Sequence, residues 1–204
     1  MQKNIVIGLT GGIGSGKTTA LEIFASLHAN TVNADIINKQ LLESANNIAI
    51  ISKKFGKAIT QEGKINKALL RKICFNNAQD KLWLENLLHT QIFDIIKQQT
   101  SKPCDTYYIV EIPLLFEAKS PIQLTRSCAI TCSQQQQLAR VFSRSNLSFE
   151  ETKAIIKTQI SNADKIKLAN DWIDNSKDLE HLFTQVKKLH DFYLNLTINR
   201  AKQL

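Results

Sequence analysis

The chain has 204 residues, of which 43% are apolar and 22% are charged. This is the composition of an ordinary globular protein, and it excludes collagen-like and low-complexity chains. The length favours one domain that carries a smaller inserted subdomain. The net charge of +8 is compatible either with an anionic partner or with ordinary surface charge. No apolar run approaches the ~20 residues that cross a bilayer, and we therefore expect a cytoplasmic protein with no membrane partner.

Glycines are concentrated near the start of the chain, where five of the seven fall between residues 8 and 16. The apolar run at residues 4–10 predicts a buried parallel strand, and residues 19–27 have helical periodicity. Between them the GxxxxGK[ST] pattern of a P-loop is matched by Gly11, Gly16, Lys17 and Thr18. In such a loop backbone N–H groups converge on phosphate oxygens, Lys17 reaches the β- and γ-phosphates, and Thr18 completes a Mg²⁺ shell. A turn without a ligand is the alternative, and both flanking elements argue against it.

Strands and helices alternate along the rest of the chain. Further strands are predicted at residues 30–33, 107–113, 126–131 and 171–174. Helices are predicted at residues 34–44 and 133–145, from a Ser-x-x-Glu capping box at Ser148, and at residues 179–196. The pattern is helical throughout residues 46–101, with a break near residues 55–64. This order predicts an α/β fold in which helices cover both faces of a parallel sheet.

Two groups outside the loop are candidates for chemistry. Asp35 follows the second strand, at the edge where open α/β sheets bind ligands. It is equally suited to accepting a proton or holding Mg²⁺ and to capping the helix that begins near Ile36. Arg140 and Arg144 share one helix face, which either closes over a phosphate as a lid or is simply solvated.

Other P-loop classes lack support in this chain. There is no guanine-reading Asn-Lys-x-Asp, and Ile-Pro follows Glu111 where a helicase or AAA-type motor has an Asp-Glu pair. Phosphoryl transfer to a small acceptor is therefore favoured. A nucleoside monophosphate kinase remains an alternative, as does an ATP-dependent nucleic-acid-binding protein on account of the positive charge.

Several later segments carry a more specific pattern. They are Val32-Asn-Ala-Asp-Ile-Ile37, Leu87-Leu-His89, Ile112-Pro-Leu-Leu-Phe-Glu117, Gln137-Leu-Ala-Arg140 with Arg144, and Ile173-Asp-Asn175. In this order, together with the P-loop, they resemble the dephospho-coenzyme A kinase family over almost the whole chain.

The resemblance implies a three-layer P-loop kinase core formed by a single domain, residues 1–204. Inserted in this core would be a helical acceptor-binding subdomain at residues 46–101 and a helical lid at residues 134–165. The implied reaction transfers the γ-phosphoryl group of ATP to the ribose 3′-hydroxyl of dephospho-coenzyme A, with Mg²⁺, and gives coenzyme A and ADP. A monomer without a nucleic-acid partner is expected.

The expected site residues fall into four groups. The catalytic residues are Asp35 as the base, Lys17 and Arg140. ATP is assigned to Gly12, Gly14, Ser15, Gly16, Lys17, Thr18, Thr19, Arg144, Asp174 and Asn175. The acceptor is assigned to Asn33, Asp35, Arg71, His89, Pro113, Leu114 and Leu115. The metal ligand is Thr18, with Asp35 and Glu111 as further candidates.

Some of these positions have other interpretations or depart from the family pattern. Arg71 is as well suited to a surface role, and His89 to packing between helices. The family usually has Asp where this chain has Asn33, Pro where it has Thr90, and an arginine where it has Asn162. Since Lys17 and Asp35 are retained, an active enzyme is expected.

Overall fold

A computed structural model of the chain describes residues 4–117, 121–145 and 147–202. The chain divides into two compact units. One consists of Met1–Asn33 with Gln99–Leu204, and the other of Ala34–Gln98. The second unit begins at Ala34, earlier than the insertion expected at residue 46.

The first unit contains a five-stranded sheet in which every strand pair is parallel. Its strands are β1 (Val6–Gly11), β2 (Asn30–Asn33), β5 (Tyr108–Glu111), β6 (Arg126–Thr131) and β7 (Asp171–Asp174). Their order is β2-β5-β1-β6-β7, which confirms the predicted parallel α/β sheet. β5 is shorter than predicted because the chain leaves the sheet at Pro113, which has no backbone N–H to continue the ladder. The last bond there runs from the Ile112 N–H to the Leu9 carbonyl (2.9 Å).

Except for the first, which follows Gly16 without a side-chain cap, the helices of this unit begin after a residue whose side chain caps them. They are α1 (Lys17–Ser26), α6 (Gln134–Arg144), α7 (Phe149–Thr158), α8 (Asn162–Leu168) and α9 (Leu179–Ala201). Ser133 and Ser148 each close a capping box with the residue three positions on, as predicted for Ser148. α9 continues to Ala201, beyond the predicted end at residue 196.

One face of the sheet is covered by α1 and α9, which contact each other. The core here includes Ile7, Leu9, Phe24, Ile109, Ile130, Leu182, Val186 and Tyr193. The apolar stripe of α9 is therefore core packing. Two polar side chains beside this core pair with Asp171: the Tyr193 hydroxyl donates to its Oδ2 atom (2.9 Å), and Arg126 forms an ion pair with the same carboxylate (2.8 Å).

The second unit has its own small core. It comprises α2 (Ala34–Glu43), α3 (Ala45–Phe55), a 3-10 turn (Lys57–Ile59), the strands β3 (Thr60–Gln61) and β4 (Lys64–Ile65), α4 (Lys67–Asn76) and most of α5 (Ala78–Thr100). Its buried centre is Ile51, Ile59, Ile65 and Leu70. At the predicted break in the helical pattern the chain forms an antiparallel hairpin, β3 with β4. Asn66 caps α4 by accepting from the Leu69 N–H (3.0 Å), as its sequence position predicted.

None of the helices within the described ranges combines the length and the apolar character needed to cross a membrane.

A buried histidine in α9 predicts how stability depends on pH. His190 Nδ1 is hydrogen-bonded to the Tyr107 hydroxyl (2.7 Å), and burial lowers the pKa of His190. As pH falls through the ordinary histidine value of about 6.5, the unfolded chain binds this proton more readily than the folded chain. The free energy of unfolding therefore decreases. In urea titrations at pH 7.5 and 5.5, the stability advantage of the wild type over His190→Asn should shrink at the lower pH. An advantage that is constant or larger at pH 5.5 would contradict the assignment.

Candidate active site

The glycine-rich segment forms the connection between β1 and α1, at the carboxyl edge of the central strand. α1 begins at Lys17, and Gly16 stands at its N-cap with φ +94°. Gly14 also has a positive φ, +72°. A side chain is disfavoured in this region of backbone space, so both positions require glycine. The geometry is that of a P-loop, with backbone N–H groups and a helix N-terminus directed at one place.

Asn175 holds the loop from the end of β7. Its side-chain Nδ2 donates to the Ser15 carbonyl (2.7 Å), and its backbone N–H donates to the Thr131 carbonyl (2.7 Å). Arg140 Nη2 from α6 donates to the Asn175 carbonyl (3.0 Å). A β-carbon at Gly16 would collide with the Asn175 amide, so the loop and Asn175 fit together only because residue 16 is glycine.

The tip of the loop is held at Ile13 by two glutamines. Gln137 Nε2 from α6 donates to the Ile13 carbonyl (2.7 Å), while the Ile13 N–H donates to Gln159 Oε1 (3.0 Å). Gln159 is the C-cap residue of α7. A β-carbon at Gly12 would meet both amide groups. Both backbone polar groups of Ile13 are therefore bound by side chains.

Sequence reasoning missed both glutamines as site residues. Gln137 enters the sequence analysis only as the first residue of a motif, and Gln159 does not enter it. One signal was present for Gln137: it shares a helix face with Val141, and both are buried, while Gln134 and Gln135 are exposed. No comparable local signal distinguishes Gln159.

Three cationic or hydroxyl groups are available to a phosphate at this loop. Lys17 Nζ donates to the carbonyls of Gly11 (2.8 Å) and Gly12 (3.2 Å). The hydroxyl of Ser15 and the Nη1 atom of Arg140 are buried and have no hydrogen-bond partner. Buried donors without partners are rare because each costs about 1–3 kcal/mol. Their donor chemistry fits the oxygens of a polyphosphate.

A carboxylate stands at the same edge of the sheet. Glu111 ends β5 and is in register with Leu9 of β1 and Asn33 of β2. Its side chain is buried, and Asn33 Nδ2 donates to its Oε2 (2.7 Å). In the described parts of the chain, no three His, Cys, Asp or Glu side chains are placed to hold a metal ion. A single carboxylate such as that of Glu111 suits Mg²⁺, because this ion typically takes one or two protein oxygens and completes its shell with substrate phosphates and water.

The remaining predicted residues of the first unit occupy different environments. The Thr10 hydroxyl donates to the Pro113 carbonyl (3.3 Å) and ties the turn that follows β5, in which Leu115 is buried and Leu114 is exposed. Asp174 accepts from the backbone N–H (3.0 Å) and hydroxyl (2.9 Å) of Ser176, so its carboxylate serves a local turn. Thr18, Thr19 and Arg144 are exposed.

The other predicted residues lie in the second unit, and their side chains are exposed. Asp35 is in the first turn of α2, which begins at Ala34. It is therefore inside the helix and is not its N-cap residue. Arg71 lies on α4, and His89 lies on α5 with its ring centroid 6.0 Å from that of Phe93. None of the three is buried in the core of this unit.

A parallel α/β sheet with a P-loop at the carboxyl edge of its central strand defines a P-loop nucleotide-binding protein. The chain matches the family model of dephospho-CoA kinase over residues 5–181. It is 38% identical to a dephospho-CoA kinase of Hahella chejuensis, with 95% of this chain and 94% of the relative covered. The corresponding protein of Shewanella oneidensis is 35% identical, with 95% and 96% covered. The solved dephospho-CoA kinase from Campylobacter jejuni is 30% identical with a TM-score of 0.69, covering 93% of this chain and 97% of that one.

The chain belongs to the dephospho-CoA kinase family. It is an enzyme of the kinase class, and its reaction is the last step of coenzyme A biosynthesis.

The contact between Gly16 and Asn175 predicts a selective loss of ATP binding. Gly16→Ala would displace the Asn175 amide from the Ser15 carbonyl, at about 1–3 kcal/mol, so ATP binding should weaken roughly tenfold or more. Gly63→Ala is the matched control, because Gly63 also has a positive φ (+75°) but open space at its β-carbon position. Titration with a fluorescent ATP analogue checks both variants. Equal affinities for the two would contradict the role of this contact.

Proposed function

We propose that this chain transfers the γ-phosphoryl group of ATP to the ribose 3′-hydroxyl of dephospho-coenzyme A. The observation that carries the proposal is the pair of buried donors without partners, the Ser15 hydroxyl and Arg140 Nη1, beside the P-loop. Such donors are expected where an anionic group binds, and family membership supplies the identity of the two substrates.

ATP binding uses the loop backbone and the cations around it. The triphosphate lies against the N–H groups of the P-loop, and Lys17 exchanges the carbonyls of Gly11 and Gly12 for the β- and γ-phosphate oxygens. Arg140 turns its free Nη1 donor toward the phosphate while its Nη2 stays on Asn175. These groups offset the charge that accumulates on the transferring phosphoryl group and orient it for attack. Thr19, Arg144 and Asp174 complete the assigned ATP residues.

Mg²⁺ is part of the proposal, and Thr18 with Glu111 are the residues that would hold it, Asp35 being a further candidate. When bound, the ion neutralises charge on the β- and γ-phosphates. Asn33 keeps the Glu111 carboxylate in place by donating to its Oε2 atom. The neutral amide avoids the repulsion that a second carboxylate would introduce at this position.

Asp35 is the proposed base. Its carboxylate accepts the proton of the ribose 3′-hydroxyl as that oxygen attacks the γ-phosphorus. Its exposed position leaves it accessible to substrate. The acceptor is further assigned to Asn33 and to the turn Pro113–Leu115 in the first unit, and to Arg71 and His89 in the second. Residues 46–101 form the acceptor-binding part, and residues 134–165 form a lid that excludes water from the reacting phosphate.

We place the enzyme in the cytoplasm as a monomer without a nucleic-acid or membrane partner.

A coupled ADP-release assay with Mg·ATP tests the proposal directly. Dephospho-coenzyme A, adenosine monophosphate and adenosine are compared as acceptors. Stimulation by dephospho-coenzyme A alone, with a product heavier by one phosphate group, supports the assignment. Stimulation by adenosine monophosphate would instead indicate a nucleotide kinase. ADP release that ignores every acceptor would leave an ATPase and bring the nucleic-acid-binding alternative forward.

Substitutions at Lys17 and Asp35 should separate binding from proton transfer. Lys17→Ala removes the charge that contacts the β- and γ-phosphates and should abolish turnover. Asp35→Asn keeps the size of the side chain but removes the base, so kcat should fall on the order of 10²–10⁴-fold while ATP affinity changes little. Steady-state kinetics together with direct ATP titration measure both effects. Near-normal turnover by Asp35→Asn would remove this residue from the catalytic role.

Asn33→Asp tests the departure of this chain from the family pattern. The variant places a second carboxylate at hydrogen-bond distance from Glu111, and two carboxylates this close share a proton over a range of pH. We therefore expect the acid limb of the pH profile of kcat to move to higher pH. Asn33→Ser, which adds no charge, should leave that limb in place. An unchanged limb in Asn33→Asp, with unchanged KM for both substrates, would show that the amide is interchangeable with a carboxylate.

A further inference from the structure

A lysine is buried in α8, outside the groups assigned to catalysis. Lys165 is 1% exposed, and its ammonium forms an ion pair with Glu117 Oε1 at 3.2 Å. Burial of two charges costs several kcal/mol per ion, and well-packed apolar residues of similar volume are often as stable or more stable. A contribution to stability is therefore a weak explanation for this pair.

Both members of the pair bind the same backbone residue. Glu117 Oε1 accepts from the Ile160 N–H (3.2 Å), and Lys165 Nζ donates to the Ile160 carbonyl. Ile160 lies in the short connection between α7 and α8. Asn162 fixes the other side of that connection by donating from Nδ2 to the Cys132 carbonyl (2.7 Å). The connection is thus held from β6 and from the turn that follows β5.

The residue next to Ile160 contacts the P-loop. Gln159 accepts from the Ile13 N–H (3.0 Å). Because Gln159 directly precedes Ile160, its placement in space depends on the residue that Glu117 and Lys165 bind. A cavity of about 450 Å³ lies at this place, lined by Gly12 of the P-loop, Gln137, Gln159 and Lys165 among others. The ion pair therefore stands one residue from the side chain that orients the tip of the loop.

We propose that Glu117 and Lys165 are positioning residues for ATP binding, which act on the P-loop through Gln159. They hold Ile160 at both its N–H and its carbonyl, Gln159 is thereby aligned with Ile13, and the N–H groups of the loop are kept in the orientation that a triphosphate needs. This inference rests on the proposed use of ATP, and it assigns to Glu117 and Lys165 a role that neither composition nor motif spacing indicated.

The key variant removes both charges together. Glu117→Leu with Lys165→Met leaves no unpaired buried charge, so its midpoint of urea unfolding should fall much less than that of either single variant. Because Ile160 loses both side-chain bonds, the dissociation constant for ATP should nevertheless rise roughly tenfold, as expected for one hydrogen bond lost at the loop. KM for ATP should rise while KM for dephospho-coenzyme A stays unchanged. Lys167→Met, the same substitution at an exposed position of α8, is the control and should behave as wild type.

A second variant keeps the inference testable if the first does not fold. Gln159→Leu removes only the acceptor for the Ile13 N–H and should raise the dissociation constant for ATP by the same factor. Combined with the double variant it should add little further, because all three residues act along one route. An unchanged ATP affinity in Gln159→Leu would overturn the inference. A double variant that binds ATP as tightly as the wild type would also overturn it. So would a triple variant in which the two losses of ATP affinity multiply.

Direct ATP titration also separates this inference from the proposed function. A wild type that binds ATP but does not phosphorylate dephospho-coenzyme A would contradict the assigned reaction and leave the positioning role to be decided by the same variants. A wild type that does not bind ATP would overturn both.

Discussion

A P-loop has to present its backbone to a phosphate in a fixed orientation. In this protein side-chain amides from other segments hold it, together with a hydrogen bond of its own from the Ser15 N–H to the Gly12 carbonyl (3.1 Å). Asn175, Gln137 and Gln159 bind the Ser15 carbonyl, the Ile13 carbonyl and the Ile13 N–H. These amides are neutral, so they orient the loop without adding charge to the site. The positive charge remains on Lys17 and Arg140, where it can act on the ligand.

The parallel sheet makes this arrangement possible. Because β1, β6 and β7 are parallel neighbours, the residues that follow them emerge at one edge, and Asn175 meets Ser15 although 160 positions separate them. The same edge receives Glu111 from β5 and Asn33 from β2. Close approach sets the residue types: a β-carbon at Gly11 would collide with the Ile130 carbonyl, and one at Gly16 with Asn175. The glycines of the loop therefore serve its contacts as well as its backbone angles.

The candidate residues for phosphate lie in one unit, and several candidates for the acceptor lie in the other. The groups suited to phosphate lie in the first unit, where Asn175 and Gln137 are buried and fixed by hydrogen bonds. Asp35, Arg71 and His89 lie in the second unit, on helices whose apolar sides form a separate core around Ile51 and Leu70. Their side chains are exposed and are not used in that core. This leaves them available to a ligand, which is what the proposed acceptor-binding role requires.

The sequence alone determined the P-loop, the alternation of the five sheet strands with helices, the capping box at Ser148 and the family, because each depends on local residue patterns or on their order along the chain. It did not distinguish Asp174, which serves a local turn, from Asn175, which holds the loop. Nor did it indicate the hydrogen bonds of Gln137 and Gln159 with Ile13, the ion pair of Glu117 with Lys165, or the start of the second unit at Ala34. These depend on the tertiary structure, because each joins segments far apart in the chain, or marks which helices share a core. Such contacts exist only once the strands have taken their order in the sheet and the helices have packed.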